Sequence, residues 1–118
     1  DYARLCQMLL NDGELNGVRI LGRKTVEPLR ADHLGDLPRK GLAPGLGFGL
    51  TVAMNRGPGQ THHLGTEGEY NWGGAAGTRF WLDPKEDLFG LFMVQILPHT
   101  NLTYGAQFKQ LVYQALVD

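Results

Sequence analysis

Acyl transfer, acid–base catalysis and metal binding each need particular side chains, and this chain supplies few of them. It contains no serine at all. Its single cysteine, Cys6, lies in an apolar helical stretch with no histidine nearby in sequence, and a buried thiol of that kind behaves as a small hydrophobe rather than a nucleophile. The histidines are His33, His62, His63 and His99; the adjacent pair His62-His63 cannot readily aim both rings at one ion, and no HExxH or cysteine pair adds ligands. The pair reads as part of a solvated loop, and no metal or cofactor is implied. Glu67 and Glu69 are the candidate acids and bases, and their place in a polar loop makes solvation the expected state.

More informative is the stretch from Tyr70 to Pro84, Tyr-Asn-Trp-Gly-Gly-Ala-Ala-Gly-Thr-Arg-Phe-Trp-Leu-Asp-Pro, in which glycines run directly into an apolar strand. Glycine weakens a strand and adds no packing, so this density marks a bulge, a corner or a place where a ligand approaches the backbone. Gly45-Leu-Gly-Phe-Gly49 superficially matches a phosphate loop, but no Lys-Ser/Thr follows and no helix comes next. Close packing of a strand against a helix explains it better.

The elements that would position these residues are legible in outline. Asp1 can cap a helix over residues 2–11, where Leu5, Met8 and Leu9 recur at helical spacing until Asn11-Asp12-Gly13 stops the run. Asn16-Gly17 between short apolar flanks predicts a hairpin turn. Residues 23–34 fit a second helix with Pro28 in its first turn. Residues 35–45 are a loop. Leu46, Phe48, Leu50 and Val52 alternate as one strand over 46–54. Residues 78–82 and 88–97 are further strands joined by the Asp83–Asp87 turn. A last helix, capped by Asn101 or Thr103, carries Tyr104, Phe108, Leu111, Val112, Ala115 and Leu116 as an apolar stripe that should lie flat on the sheet. The class is α+β: an antiparallel sheet of three or four strands, flanked by N-terminal helices and a C-terminal helix packed on it.

Composition narrows the function further. At 118 residues, 42% hydrophobic and 19% charged, the chain has the makeup of one globular domain. Eleven basic against twelve acidic residues give a net charge of −1 without a basic cluster, which argues against nucleic acid as a partner. The longest apolar run, Leu88 to Leu97, is interrupted and far short of the ~20 residues a membrane helix needs, so no membrane partner is expected. The chain starts at Asp1 rather than Met, which points to a segment of something longer.

Several segments in a fixed order resemble a known family. Asp1-Tyr2-Ala3-Arg4 opens a helix ending Leu-Leu-Asn-Asp-Gly; Leu46-Gly47-Phe48-Gly49-Leu50 follows, then Trp72-Gly73-Gly74-Ala75-Ala76-Gly77-Thr78 and Trp81-Leu82-Asp83-Pro84. This series is similar to the C-terminal part of the serine β-lactamases of class C and their relatives, the penicillin-binding proteins and family VIII carboxylesterases. The resemblance implies that residues 1–118 form a single partial domain of the β-lactamase-like fold.

The family's catalytic parts are a Ser-x-x-Lys nucleophile, a Tyr-x-Asn motif and a Lys-Thr-Gly motif on an inner strand. Only the third has a counterpart here. No Thr or Cys is followed three residues later by Lys, and none of Tyr2, Tyr70, Tyr104 or Tyr113 is followed two residues later by Asn. Trp72-Gly73-Gly74 resembles the carboxylesterase form of the strand motif. That resemblance implies the Ala75 backbone N–H as one oxyanion donor, the other belonging to a serine this chain lacks. Tryptophan in place of lysine presents a flat apolar surface, which favours neutral esters over carboxylate-bearing β-lactams. Arg79 would supply charge if it points into the same cleft, and strand alternation alone leaves its face open.

Two functions of different class follow. In one, the chain is the C-terminal segment of a serine hydrolase that cleaves a small ester or amide through an acyl-serine, inert without the missing nucleophile and base. In the other, it is a non-catalytic binding domain that self-associates through an exposed sheet edge. Relatives of this family work both in the cytoplasm and across the inner membrane, so the compartment stays open; that esterase-like members often lack export signals favours a soluble, cytoplasmic protein.

Overall fold

The computed structural model describes residues 1–98 and 103–117. Helix α1 (Tyr2–Leu10) buries Cys6, Met8 and Leu9. The Asp1 carbonyl accepts the Arg4 and Leu5 N–H groups at 3.0 and 3.4 Å, but the expected side-chain cap is not made. The helix stops where Asp12 and Gly13 take φ of 52° and 99°, and the Gly13 N–H returns to the Met8 carbonyl at 2.8 Å. Strands β1 (Glu14–Leu15) and β2 (Val18–Arg19) then pair around Asn16 (φ 52°) and Gly17 (φ 78°), the turn expected from their sequence.

Helix α2 (Arg23–Leu29) is shorter than the residue pattern predicts, and Pro28 sits in its last turn rather than its first. A proline there lacks an N–H and crowds the carbonyl four residues back, so the helix ends one residue on. The chain beyond it runs along a strand instead: the Leu29 carbonyl accepts the Leu50 N–H at 3.1 Å, and the His33 N–H donates to the Phe48 carbonyl at 2.9 Å.

The single strand read over 46–54 is a hairpin. Strands β3 (Leu46–Phe48) and β4 (Ala53–Asn55) pair with Phe48 opposite Ala53, and the Gly49 N–H closes the turn onto the Val52 carbonyl at 2.8 Å. Gly49 permits this because a Cβ there would lie 2.1 Å from the Leu29 carbonyl oxygen, so the glycine run does serve contact with the end of a helix. Alternating apolar residues continued through the turn, which made two short strands look like one.

Strands β5 (Tyr70–Gly73), β6 (Arg79–Asp83) and β7 (Leu88–Phe92) complete a five-stranded antiparallel sheet in sequential order, one strand more than the largest number expected. Strand β7 ends at Phe92 rather than Leu97. In the turn between β6 and β7, Asp83 Oδ1 accepts the Lys85 and Glu86 N–H groups at 3.1 and 3.3 Å. Helix α3 (Tyr104–Gln114) follows Thr103, whose side chain makes no cap; Asn101 and His99 lie outside the described residues.

The sheet is covered on both faces. On one, Tyr70, Phe80, Leu82, Phe89 and Leu91 pack with Cys6, Met8 and Leu9 of α1. On the other, Trp81 and Phe92 meet Phe108 of α3, with ring centroids 5.8 and 5.7 Å apart. The C-terminal helix thus lies on the sheet as expected, although Leu111 of its apolar stripe remains exposed. Among the described residues no helix is long and apolar enough to cross a membrane.

Candidate functional site

The glycine-rich segment is a strand end and a tight turn. Strand β5 stops at Gly73, and the turn 74–77 leads into β6. Ala75 therefore lies in the turn, not in the strand interior where an inner-strand donor was expected. Part of the glycine content has a local cause: a Cβ on Gly74 would lie 2.4 Å from Thr78 Oγ1, so the hairpin's own threonine fills that space.

The turn also orients one peptide group. The Gly74 N–H donates to the Thr78 carbonyl at 2.8 Å, and the Gly74 carbonyl accepts the Gly77 N–H at 3.0 Å. The Gly74–Ala75 peptide is trans, so the Ala75 N–H is antiparallel to that carbonyl. Strand β4 pairs with β5 only at Ala53↔Asn71 and Met54↔Tyr70, so Trp72 and Gly73 extend beyond it. An open cleft of about 460 Å³ lies there, bordered by Leu46, Trp72, Gly73, Gly74, Ala75 and Arg79.

Trp72 is 45% exposed and makes an edge contact with Phe48 at 5.2 Å. It also borders a second opening of about 330 Å³, shared with Tyr2, Phe80 and Met93. Trp72 pairs with Phe80, whereas Arg79 pairs with Gly73, so the indole and the guanidinium leave the sheet on opposite faces. Arg79 lies against α3, where a Cβ on Gly105 would be 2.6 Å from its Cδ. Trp72, Gly73, Gly74, Ala75 and Arg79 thus all border the cleft at one strand end, with Arg79 leaving the sheet on the face opposite the indole.

The remaining candidates divide clearly. Cys6 is fully buried, and burial pushes its thiol above the ordinary value, so it stays protonated and inert. His33, His62 and His63 are exposed. Among the described residues no group of three or more His, Cys, Asp and Glu side chains is placed to hold a metal. Glu67 is exposed, but Glu69 contradicts its expected solvation: it is fully buried, ion-paired to Lys109 and hydrogen-bonded to Tyr113. Burial raises its carboxyl above the ordinary value, opposed by Lys109 and Tyr113.

Residue patterning missed two buried or half-buried carboxylate centres. Asp83 is fully buried and accepts the Tyr113 hydroxyl at 2.8 Å. Asp32 joins the loop after α2 to β3, accepting the Leu34 and Phe48 N–H groups at 3.1 and 3.2 Å and Arg39 at 3.0 Å. Lys109 and Tyr113, four residues apart, share a helix face and so were legible as a pair. That this face meets Glu69 and Asp83 was not.

No protein-family model matches the chain. Two curated proteins of Mycobacterium tuberculosis, Uncharacterized protein MT1414 of strain CDC 1551 and Protein Rv1367c of strain H37Rv, are each 36% identical over 115 residues. The alignments take in 90% of this chain but 29% of each relative, so the chain spans less than a third of their length. Among solved structures, "EstCE1, a hydrolase with promiscuous acyltransferase activity" superposes with a TM-score of 0.75 at 24% identity, over 92% of this chain and 28% of that one. The likeness shows the fold: three helices and a five-stranded antiparallel sheet that form part of a β-lactamase-like domain.

Proposed function

We propose that this chain is the C-terminal segment of a serine hydrolase, and that it supplies the oxyanion-donor turn and one apolar wall of an ester-cleaving site. The observation that carries the reading is the open cleft at the end of β5, bordered by Trp72, Gly73, Gly74, Ala75 and Arg79, beside a turn whose shape is fixed by the Gly77 N–H on the Gly74 carbonyl. A donor fixed by the backbone before reaction stabilises developing negative charge without reorganising. Trp72 provides the apolar surface for a neutral acyl or alkoxy group. EstCE1 is described as a hydrolase with acyltransferase activity, which accords with acyl-group chemistry on this architecture. Attack on the carbonyl requires a nucleophilic serine and its base, and this chain contains no serine.

The test compares the chain with a longer protein of which it is the C-terminal part. The chain alone should not turn over a chromogenic short-chain ester or a chromogenic cephalosporin above buffer. The longer protein should cleave the ester, and Gly74→Pro within it should abolish cleavage, because proline cannot donate to Thr78 and the turn that aims Ala75 is lost. Turnover by the chain alone would overturn the reading.

A second reading rests on β7, a terminal strand of the sheet. An edge strand offers unpaired backbone groups, and Met93 just beyond it is 62% exposed. Pairing of two copies through β7 would make the isolated chain dimeric. A monomer in sedimentation at high concentration would exclude it.

A further inference from the structure

The surface between α3 and the sheet holds buried charge where an apolar contact would suffice. Glu69 and Asp83 are both at 0% exposure. Between them the Tyr113 hydroxyl oxygen lies 3.0 Å from Glu69 Oε2 and 2.8 Å from Asp83 Oδ2, and Lys109 is paired with Glu69 Oε1. A phenol carries one proton. It can fill only one of those two contacts, and the other needs a second proton between its oxygens.

Charge makes the same demand. With both buried carboxylates ionised, two negative charges face the one ammonium of a partly exposed Lys109, an arrangement that burial disfavours. Among the described residues, the charged and titratable groups acting on Glu69 are Lys109 and Tyr113 from α3 and Asp83 from β6; from β4 the neighbour is the uncharged Asn55 amide, and Gly65 closes the loop side. Asp83 Oδ1 is occupied by backbone N–H groups, which leaves Oδ2 for Tyr113.

We propose that Glu69, Asp83 and Tyr113 hold one shared proton that latches α3 onto the sheet, and that losing it as pH rises loosens the helix. In the latched state one carboxyl donates to the Tyr113 oxygen, the Tyr113 hydroxyl donates to the other carboxylate, and Lys109 balances the remaining charge. Two protons then fill two contacts, and the net charge is zero. Releasing one proton to solvent leaves one oxygen pair without a hydrogen and one negative charge uncompensated. The proton belongs to the pair rather than to either residue.

Burial raises the Glu69 carboxyl, so its favourable contribution is complete below the ordinary value of 4.5 and is lost as pH rises through the folded value. Glutamine at position 69 imitates the latched state. Its amide N–H can donate to the Tyr113 oxygen, its carbonyl can accept Lys109, and nothing there titrates.

Trp81 reports on the helix, since its indole is 2% exposed and in contact with Phe108 of α3. In a Trp72→Phe background, which leaves Trp81 as the only indole, emission should shift to the red as pH rises. Glu69→Gln should remove that shift, and Tyr113→Phe should leave the emission red-shifted at every pH. In parallel, carbon-13 NMR of the unsubstituted chain should show the Glu69 carboxyl titrating above the ordinary range for a glutamate. A Glu69 carboxyl titrating at or below that range would overturn the proposal, whatever the stability of the variants. So would an unchanged red shift in Glu69→Gln.

Discussion

The Trp81 indole occupies the volume a side chain on Gly90 would need: a Cβ on Gly90 would lie 2.1 Å from Trp81 Cη2 and 2.2 Å from Cζ2. The two residues face each other across β6 and β7, and the ring continues outward to Phe108 of α3. Sheet and C-terminal helix are therefore joined through an aromatic ring that requires glycine beneath it. Gly90→Ala should lower stability by about 1–3 kcal/mol, the usual cost of overpacking a filled site. Chemical denaturation with an unchanged midpoint would show that the ring can move aside.

Asp32 should govern the acid limb of stability. Burial opposes its ionisation, but the Leu34 N–H, Arg39 and the Phe48 N–H outweigh that and hold the carboxyl below its ordinary value of 3.8. The folded value is depressed, so the contribution is present above the ordinary value and lost as pH falls through the folded one. Asp32→Asn keeps the shape and removes the charge. Thermal midpoints measured from neutral pH downward should fall less steeply in the variant than in the unsubstituted chain.

Trp72 should set the preference between neutral and anionic substrates. In a longer protein containing this segment, Trp72→Lys should raise cephalosporin turnover relative to ester turnover by about tenfold, the effect of roughly 1.4 kcal/mol at the transition state. The ratio of the two kcat/KM values measures it. An unchanged ratio would mean that the indole does not line the acyl site.

Arg79 leaves the sheet on the face opposite Trp72, against Gly105 of α3. An exposed charge on that side is screened by solvent. Arg79→Ala in the same longer protein should change ester kcat/KM by less than about threefold. A loss of a hundredfold or more would mean that the guanidinium, which borders the cleft, acts on the substrate.

Much of the architecture was legible from residue order because it rests on local chemistry. Asn16-Gly17 specifies its turn through the positive φ both residues tolerate, and Asp83 organises the turn after β6 through its own carboxylate. The period of Leu5, Met8 and Leu9 marks α1, and the motif around Trp72 locates the strand end, although not that Ala75 belongs to the turn. Where local patterns were ambiguous, tertiary contact decided. Gly49 turns the chain because the Leu29 carbonyl is beside it, and Pro28 ends α2 so that the following residues can run along β3.

The absence of serine, the lone cysteine and the order of the glycine segments were properties of the chain itself, and they alone limited which chemistry it can perform. Only the folded structure decided that Arg79 and Trp72 part to opposite faces, and that Glu69 leaves solvent to meet Lys109, Tyr113 and Asp83. The reason is distance along the chain: a carboxylate's environment is set by residues that folding brings to it, and here Lys109 and Tyr113 lie on a helix 40 and 44 positions away.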